Sequence, residues 1–173
     1  SGVVLDMDLN KAADVVKREN ARVAKLIGIN KAARTTCVKP AGTTSLVLGT
    51  SSGIHAWHND YYVRRVRVGK NEAIYNYLSV AHPELIEDCF FRGHDTAIIS
   101  IPQLAPKGSI LRTESAFDTL NRVKLVAENW VKAGHRSGSN THNVSATISL
   151  KDDEWKKAGE WMWENRDCYN GLS

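Results

Sequence analysis

Apolar residues recur at intervals of three and four positions in several stretches of the sequence, and this spacing predicts amphipathic helices. The longest stretch runs from Met7 to Ile27 and is followed by Gly28, a residue type that commonly ends helices. A shorter stretch that ends at Gly49 predicts a loop and a short helix. Three further helices are predicted: one capped by Asn71 and stopped before Pro83, one from Ala116 to Lys132, and one that starts at Lys151-Asp152-Asp153 and runs through Trp161.

Runs of β-branched and apolar residues separate these helices and predict strands. They lie at residues 35–40, 61–69, 96–102 and 143–150, with a last strand beginning in 167–173. The run at 96–102, TAIISIP, is apolar enough that we expect both of its faces to be covered. Because strands and helices alternate without the short turn dipeptides of hairpins, the sequence predicts an α/β fold with mostly parallel strands. The chain stops as a strand begins, which suggests that residues 1–173 are a single segment cut from a longer domain.

Composition limits the classes of protein that fit this chain. Its 173 residues are 42% hydrophobic and 24% charged, which is typical of a globular domain and excludes a disordered chain. No apolar run approaches the roughly 18–20 residues that span a bilayer, so we expect a soluble chain without a membrane partner. The net charge of +4 is small, and Arg64-Arg65-Val66-Arg67 is more typical of an exposed strand face with acidic neighbours than of nucleic-acid binding.

The cysteines and histidines do not predict a metal centre or a catalytic thiol. Cys37, Cys89 and Cys168 lie far apart, form no C-x-x-C pair and are odd in number. We therefore expect three reduced, buried thiols in a cytoplasmic protein. His55 and His58 have a spacing that suits metal ligands, but no third ligand follows at a recognised interval, so we expect ordinary loop histidines and no metal.

The stretch KPAGTTSLVL, residues 39–48, is the best candidate for a ligand site. Gly42 would let a ligand approach the backbone closely. Three hydroxyl residues follow where a helix is predicted to begin: Thr43, Thr44 and Ser45. The unpaired N–H groups and partial positive charge of a helix N-terminus suit phosphate, although neither G-x-x-x-x-G-K-[ST] nor G-x-G-x-x-G is present. From these residues alone, an ordinary helix cap and a phosphate site both remain open.

Several ordered motifs resemble those of the catalytic subunit of ribonucleotide reductases, most closely the adenosylcobalamin-dependent (class II) form. They are KPAGTTS with the GIH turn that follows it, the strand YYVRRVR, and NVSATISL with the later YNGLS. The match extends from about Thr35 to Ser173. In that family these motifs mark the later part of a ten-stranded α/β barrel, so the resemblance implies that this chain is a partial piece of the barrel.

The resemblance also implies a site, a cofactor and partners. In the family, the loop that matches Ala41, Gly42, Thr43, Thr44 and Ser45 binds the phosphates of the ribonucleotide substrate. That substrate is a diphosphate or a triphosphate, and we favour the triphosphate. The full enzyme replaces the ribose 2′-hydroxyl by radical chemistry that starts from adenosylcobalamin and uses a thioredoxin-type reductant. The expected partners are therefore a ribonucleotide and the remainder of the reductase chain, with no nucleic acid.

The family motifs that carry its catalytic cysteines do not match at Cys37, Cys89 or Cys168. The resemblance thus implies that this chain holds no catalytic residue, binds no cofactor by itself and is inactive alone. Two other hypotheses remain. One is the large subunit of an iron-dependent (class I) reductase, and the other is a non-catalytic module that binds nucleotide or phosphate.

Overall fold

The computed structural model describes residues 6–173, which divide into two units. The first unit comprises the chain up to Trp57 together with 108–173, and the second comprises His58–Lys107. In chain order the elements are α1 (Leu9–Ile27), α2 (Gly42–Leu48), β1 (Tyr61–Gly69), α3 (Ala73–Ala81), a 3-10 helix (Pro83–Leu85), β2 (Ile86–Asp88), β3 (Thr96–Leu104), α4 (Ala116–Val126), a π-helix (Ala127–Val131) and α5 (Trp155–Glu164). Among the described helices, none is long and apolar enough to cross a membrane.

Helices α1 and α2 follow the bounds that the sequence predicts. The Asp8 side chain accepts a hydrogen bond from the Lys11 N–H (3.0 Å) and caps the start of α1. Gly28 ends α1 with a φ of 74°, and Gly49 ends α2 with a φ of 62°. Both glycines adopt the left-handed conformation that residues with a Cβ rarely adopt, so these two predicted helix ends are confirmed.

Helix α4 is also confirmed, with a change of winding near its end. Ser115 and Asp118 form a capping box in which each side chain accepts a hydrogen bond from the other's backbone N–H. After Val126 the chain continues as a π-helix to Val131, so the predicted extent of 116–132 holds. Helix α5 begins at Trp155, later than predicted, because residues 152–154 form a turn.

The core of the first unit joins α4 and the π-helix to the segments on either side of the candidate loop. Its buried members are Ile54, Val123, Val126, Ala127, Val131, Val144 and Ala146. Ile54 belongs to the GIH turn that follows α2, while Val144 and Ala146 belong to the segment 143–150. Burial of these side chains therefore fixes the turn after α2 against the rest of the unit.

Segments 35–40 and 143–150 meet in parallel but form no regular strand, so the two predicted strands are wrong. They share a single bridge between Val38 and Val144. The Ser145 N–H donates to the Val38 carbonyl (3.3 Å). Because Pro40 has no N–H, it cannot donate the next hydrogen bond of a parallel ladder, and the pairing is too short to count as a strand.

The predicted last strand pairs with segment 143–150 through its final residue. The Ser173 N–H donates to the Ala146 carbonyl (3.2 Å), and the Ile148 N–H donates to the Ser173 carbonyl (2.6 Å). This pattern is that of a parallel pair. The parallel direction expected from the sequence is thus present at these contacts, although no regular strand forms there.

The second unit contains a three-stranded antiparallel sheet in the order β1-β3-β2. Its register pairs Tyr61 with Leu104 at one end and Gly69 with Thr96 at the other. The turn between β2 and β3 returns the chain directly, with the Cys89 N–H donating to the Thr96 carbonyl (3.1 Å). The prediction of mostly parallel strands is therefore wrong for this sheet, because short turns and not helices connect β2 to β3.

Strand β3 is covered on one face and not on both, which corrects the sequence prediction. Ala97 and Ile99 are buried with Val68 of β1, under Tyr75 and Leu78 of α3. Farther along β3 the cover ends, and Ile101 and Leu104 are exposed. The sheet thus packs against α3 with one half of one face.

Two further predictions concern β1 and the turn that follows it. Asn71 does not cap α3, because Glu72 occupies that position and its carboxylate accepts the Gly69 N–H instead (3.0 Å). Arg65 on the exposed side of β1 pairs with the Glu87 carboxylate of β2. The expectation that the arginine cluster lies on an exposed strand face with acidic neighbours is confirmed at Arg65.

The described chain exposes more large apolar side chains than a stable monomer usually does. They include Val15, Leu26, Ile27, Ile29, Val47, Leu48, Tyr61, Val63, Val80, Phe90, Phe91, Leu104, Trp155 and Trp163. Because burial of such surface drives association, we expect the isolated chain to self-associate as its concentration rises. Static light scattering measures this directly, and a monomer mass that stays constant across the concentration series would contradict the prediction.

Candidate functional site

The candidate loop leads straight into α2. Ala41 is the residue before the helix and makes no side-chain cap. The first hydrogen bond of the helical type runs from the Ser45 N–H to the Ala41 carbonyl (3.1 Å). As at any helix start, the N–H groups of residues 42–44 have no acceptor within the helix. Three backbone donors therefore project from one short turn.

The hydroxyl groups of the loop divide into two kinds. Thr43 and Thr44 are exposed, and no hydrogen bond of their side chains is found within the described chain. Ser45 is buried, and its hydroxyl donates to the Gly42 carbonyl (3.1 Å). An ordinary cap would use one of these hydroxyls on the helix amides, and none does so. Thr43 and Thr44 can therefore donate to a bound group, while Ser45 shapes the turn.

Charge and space at the loop also suit an anion. The first turn of α2 contains no acidic residue, so no carboxylate opposes the partial positive charge of the helix N-terminus. A Cβ placed on Gly42 would meet no atom within 4 Å. The backbone at Gly42 thus faces open space, as the predicted approach of a ligand requires.

The turn after α2 packs back on the segment that enters the loop. Gly53 has a φ of +60°, and a Cβ placed there would lie 3.4 Å from the Lys39 carbonyl and 3.5 Å from the Pro40 Cα. Glycine is therefore favoured at position 53 by its backbone angle, and a Cβ there would be in van der Waals contact with residues 39 and 40. This contact links the GIH turn to the residues that immediately precede Ala41.

His55 is a hydrogen-bonded residue of this turn. Its Nδ1 lies 2.7 Å from the Ser52 carbonyl, and its Nε2 accepts the Thr147 N–H (2.9 Å). Both ring nitrogens are occupied, and His58 belongs to the second unit. Among the described residues, no group of three potential ligands could hold a metal ion. The sequence predicts an ordinary loop histidine at 55 because no third ligand follows, and it gives no sign of this contact because the partner amide lies 92 positions away.

A buried ion pair holds the same turn from the side of α4. The Glu114 carboxylate pairs with the Arg122 guanidinium, whose Nη1 also donates to the Ile54 carbonyl (3.0 Å). Glu114 further accepts from the Thr119 hydroxyl (3.0 Å). Sequence reasoning missed both charged residues, because burial of one arginine in a helix leaves no local signal. Glu114 and His55 both line a cleft of about 290 Å³.

All three cysteines are free thiols, and their surroundings differ. Cys89 and Cys168 are buried as predicted, whereas Cys37 is exposed and corrects that prediction. The Cys37 carbonyl accepts the Trp130 indole N–H (3.1 Å), which fixes the backbone and leaves the thiol outside. Burial raises the pKa of the Cys168 thiol. Hydrogen bonds from the backbone N–H groups of Phe91 and Arg92 lower the pKa of Cys89.

The fold of the chain is similar to part of a known enzyme class. A solved B-12 dependent (class II) ribonucleotide reductase matches the whole of this chain with a TM-score of 0.76 and 18% sequence identity. The match covers 23% of that reductase. The fold is therefore a mixed α/β fold of the kind found in one part of a class II reductase. No family model matches the sequence.

Curated relatives identify the particular enzyme that the chain resembles. It is 29% identical over 119 residues to the adenosylcobalamin-dependent ribonucleoside-triphosphate reductase of Euglena gracilis, a match that covers 69% of this chain and 16% of the relative. A probable enzyme of the same name from Dictyostelium discoideum is 28% identical over 50% of this chain and 11% of the relative. The enzyme of Lacticaseibacillus paracasei is 22% identical over 87% of this chain and 20% of the relative.

These relatives confirm the predicted resemblance to adenosylcobalamin-dependent ribonucleotide reductases. The chain spans between about a tenth and a fifth of the length of these relatives. The ligands and the activity of the full-length relatives are therefore only proposed for this chain.

Proposed function

We propose that this chain is the later part of the catalytic barrel of an adenosylcobalamin-dependent ribonucleoside-triphosphate reductase, and that it binds the substrate's phosphates. The observation that carries the proposal is the unpaired set of donors at 42–44, two of which also carry free hydroxyl groups. They lie in the KPAGTTS motif that resembles the substrate-phosphate loop of the family. The reaction is the reduction of the ribose 2′-hydroxyl.

Within the loop Ala41–Ser45, each residue has a proposed role. The N–H groups of Gly42, Thr43 and Thr44 and the two threonine hydroxyls donate to phosphate oxygens. Ala41 accepts the Ser45 N–H and starts the helix. Ser45 holds the Gly42 carbonyl away from the ligand through its hydroxyl. A charged phosphate gains more from each of these bonds than a neutral group would.

The proposed substrate is a ribonucleoside triphosphate, and the proposed chemistry is that of the class II reductases. The relatives named above are all ribonucleoside-triphosphate reductases that depend on adenosylcobalamin. Their names favour this assignment over the iron-dependent class and over a module without catalysis. The remainder of the reductase chain would supply the radical cysteine and the cysteine pair that a thioredoxin-type reductant restores.

The residues of this chain do not fit adenosylcobalamin by themselves. The three largest clefts found among the described residues measure about 290, 390 and 640 Å³. Clefts of roughly 300–1,000 Å³ take drug-sized ligands, and a corrin with its nucleotide and adenosyl groups is larger. We therefore propose no cobalamin ligand in this chain. Its three free thiols support a reducing compartment, and we propose the cytoplasm.

A variant that separates stability from binding tests the phosphate proposal. Gly42→Pro removes one N–H at the first helical position, where proline is favoured, and Ala41 before it is outside the helical region that a following proline disfavours. We expect unchanged or slightly higher thermal stability. Isothermal titration with CTP is expected to show about tenfold weaker binding, because one charge-assisted hydrogen bond is lost.

Two controls accompany this titration. Gly42→Ala keeps the N–H, and its methyl group meets open space, so it should bind CTP like the wild-type chain. Cytidine, which lacks phosphate, should not bind. If wild-type protein binds cytidine as tightly as CTP, the loop does not recognise phosphate. If Gly42→Pro binds CTP normally, the Gly42 N–H is not one of the donors to the phosphate.

A further inference from the structure

The hydrogen-bond ladder between segments 35–40 and 143–150 stops where the phosphate loop begins. The Ser145 N–H donates to the Val38 carbonyl, and the next N–H on the same edge is that of Thr147. In a continuing ladder Thr147 would pair with the carbonyl of residue 40. The chain leaves the ladder at Pro40 instead, so the Thr147 N–H needs another acceptor.

The His55 imidazole takes this position. A backbone N–H can only donate, so the Thr147 amide fixes Nε2 of His55 as an acceptor (2.9 Å). Nδ1 then carries the hydrogen and donates to the Ser52 carbonyl (2.7 Å). The ring is thereby held as one neutral tautomer between a turn and a ladder. Protonation of Nε2 would set two N–H groups against each other and break the contact with Thr147.

The turn that His55 holds is the one that touches the entrance of the loop. Gly53 packs on the Lys39 carbonyl and on Pro40, and the same turn is tied to segment 143–150 only through His55 among the described hydrogen bonds. We propose that His55 is a positioning residue of the phosphate loop: its neutral imidazole accepts the Thr147 N–H where the ladder stops at Pro40 and fixes the direction in which residues 41–45 leave it. This inference rests on the proposed function only for the identity of the ligand.

The charged groups around His55 are few. Arg112 and Glu114 line the same cleft from the loop before α4, and α4 contributes Arg122, which neutralises Glu114. Segment 143–150 contributes only the uncharged Thr147 and Ser149 to this cleft. Among the residues that line this cleft, the only carboxylate is that of Glu114, and it is already paired.

Three substitutions of His55 separate its two hydrogen bonds. His55→Gln retains an acceptor near the position of Nε2, His55→Asn retains a donor near that of Nδ1, and His55→Ala retains neither. Amide hydrogen exchange is followed at Thr147 and over residues 41–48, with α4 as an internal reference. We expect His55→Ala to exchange faster at Thr147 and over 41–48 with α4 unchanged, His55→Gln to restore most of the protection, and His55→Asn to restore little.

Binding provides the second readout. CTP affinity should fall at least several-fold in His55→Ala and recover in His55→Gln. His94→Ala, which changes an exposed histidine of the second unit, should leave CTP affinity unchanged.

The outcomes distinguish the inference from the proposed function. Unchanged exchange over 41–48 in His55→Ala, or faster exchange everywhere including α4, overturns the positioning role. If the wild-type chain fails to bind CTP while exchange at 41–48 responds to His55 as expected, the positioning role stands and the phosphate assignment fails.

Discussion

Arg122→Met is expected to lower the free energy of unfolding by about 3–5 kcal/mol, the usual cost of removing one partner from a buried ion pair. The side chains of Arg122 and Glu114 are only 8% and 13% exposed. Without the guanidinium, the Glu114 carboxylate stays buried with the Thr119 hydroxyl as its remaining partner. The Ile54 carbonyl also loses its donor. Urea unfolding followed by circular dichroism measures the change.

Two comparisons isolate the buried charge. Glu114→Gln/Arg122→Met removes both charges and should be more stable than Arg122→Met alone, because no uncompensated carboxylate remains. Arg22→Met removes the partner of Glu19 on the surface of α1, where both side chains are more than half exposed. That variant should lose much less stability than Arg122→Met, because ion pairs exposed to water contribute little. Equal losses in Arg22→Met and Arg122→Met would show that the pair does not hold the unit together.

Elements that depend on local sequence are predicted well. The stripe of α1 and the glycines at 28 and 49 act within a few residues, and the structure places these helix ends as predicted. Asn71 does not cap α3, and the cause is again a neighbouring residue. Glu72, one residue later, folds its carboxylate onto the Gly69 N–H and takes over the start of α3.

Pairing between distant segments is where prediction from sequence fails. Apolar runs at 35–40 and 143–150 have the composition of strands, but a ladder also needs amide hydrogens on both sides, and Pro40 lacks one. The direction of the β2–β3 pair depends on the turn after Cys89, which no apolar pattern encodes. The loop Ala41–Ser45 is recognisable because its motif is local. The roles of His55 and Arg122 depend on distant residues and are therefore not recognisable from the sequence.

Thr43→Val/Thr44→Val is expected to weaken CTP binding roughly a hundredfold or more. Valine keeps the shape of threonine and has a similar helix propensity, so α2 should persist. Each hydroxyl bonded to a charged phosphate contributes about 1.5–3 kcal/mol, and about 1.4 kcal/mol corresponds to a tenfold change in affinity. Isothermal titration of the variant beside the wild-type chain measures the loss.

Thr113→Val is the matched control, because Thr113 is also exposed and lies outside the loop. It should bind CTP like the wild-type chain. Comparison of Thr43→Val/Thr44→Val with Gly42→Pro separates the hydroxyl donors from the backbone N–H donors. Weaker binding in Gly42→Pro alone would mean that phosphate is held by backbone N–H groups and that the threonines face water. Weaker binding in the double variant alone would mean that the threonine hydroxyls hold the phosphate. The Gly42 N–H would then face the open space beside it without reaching the phosphate.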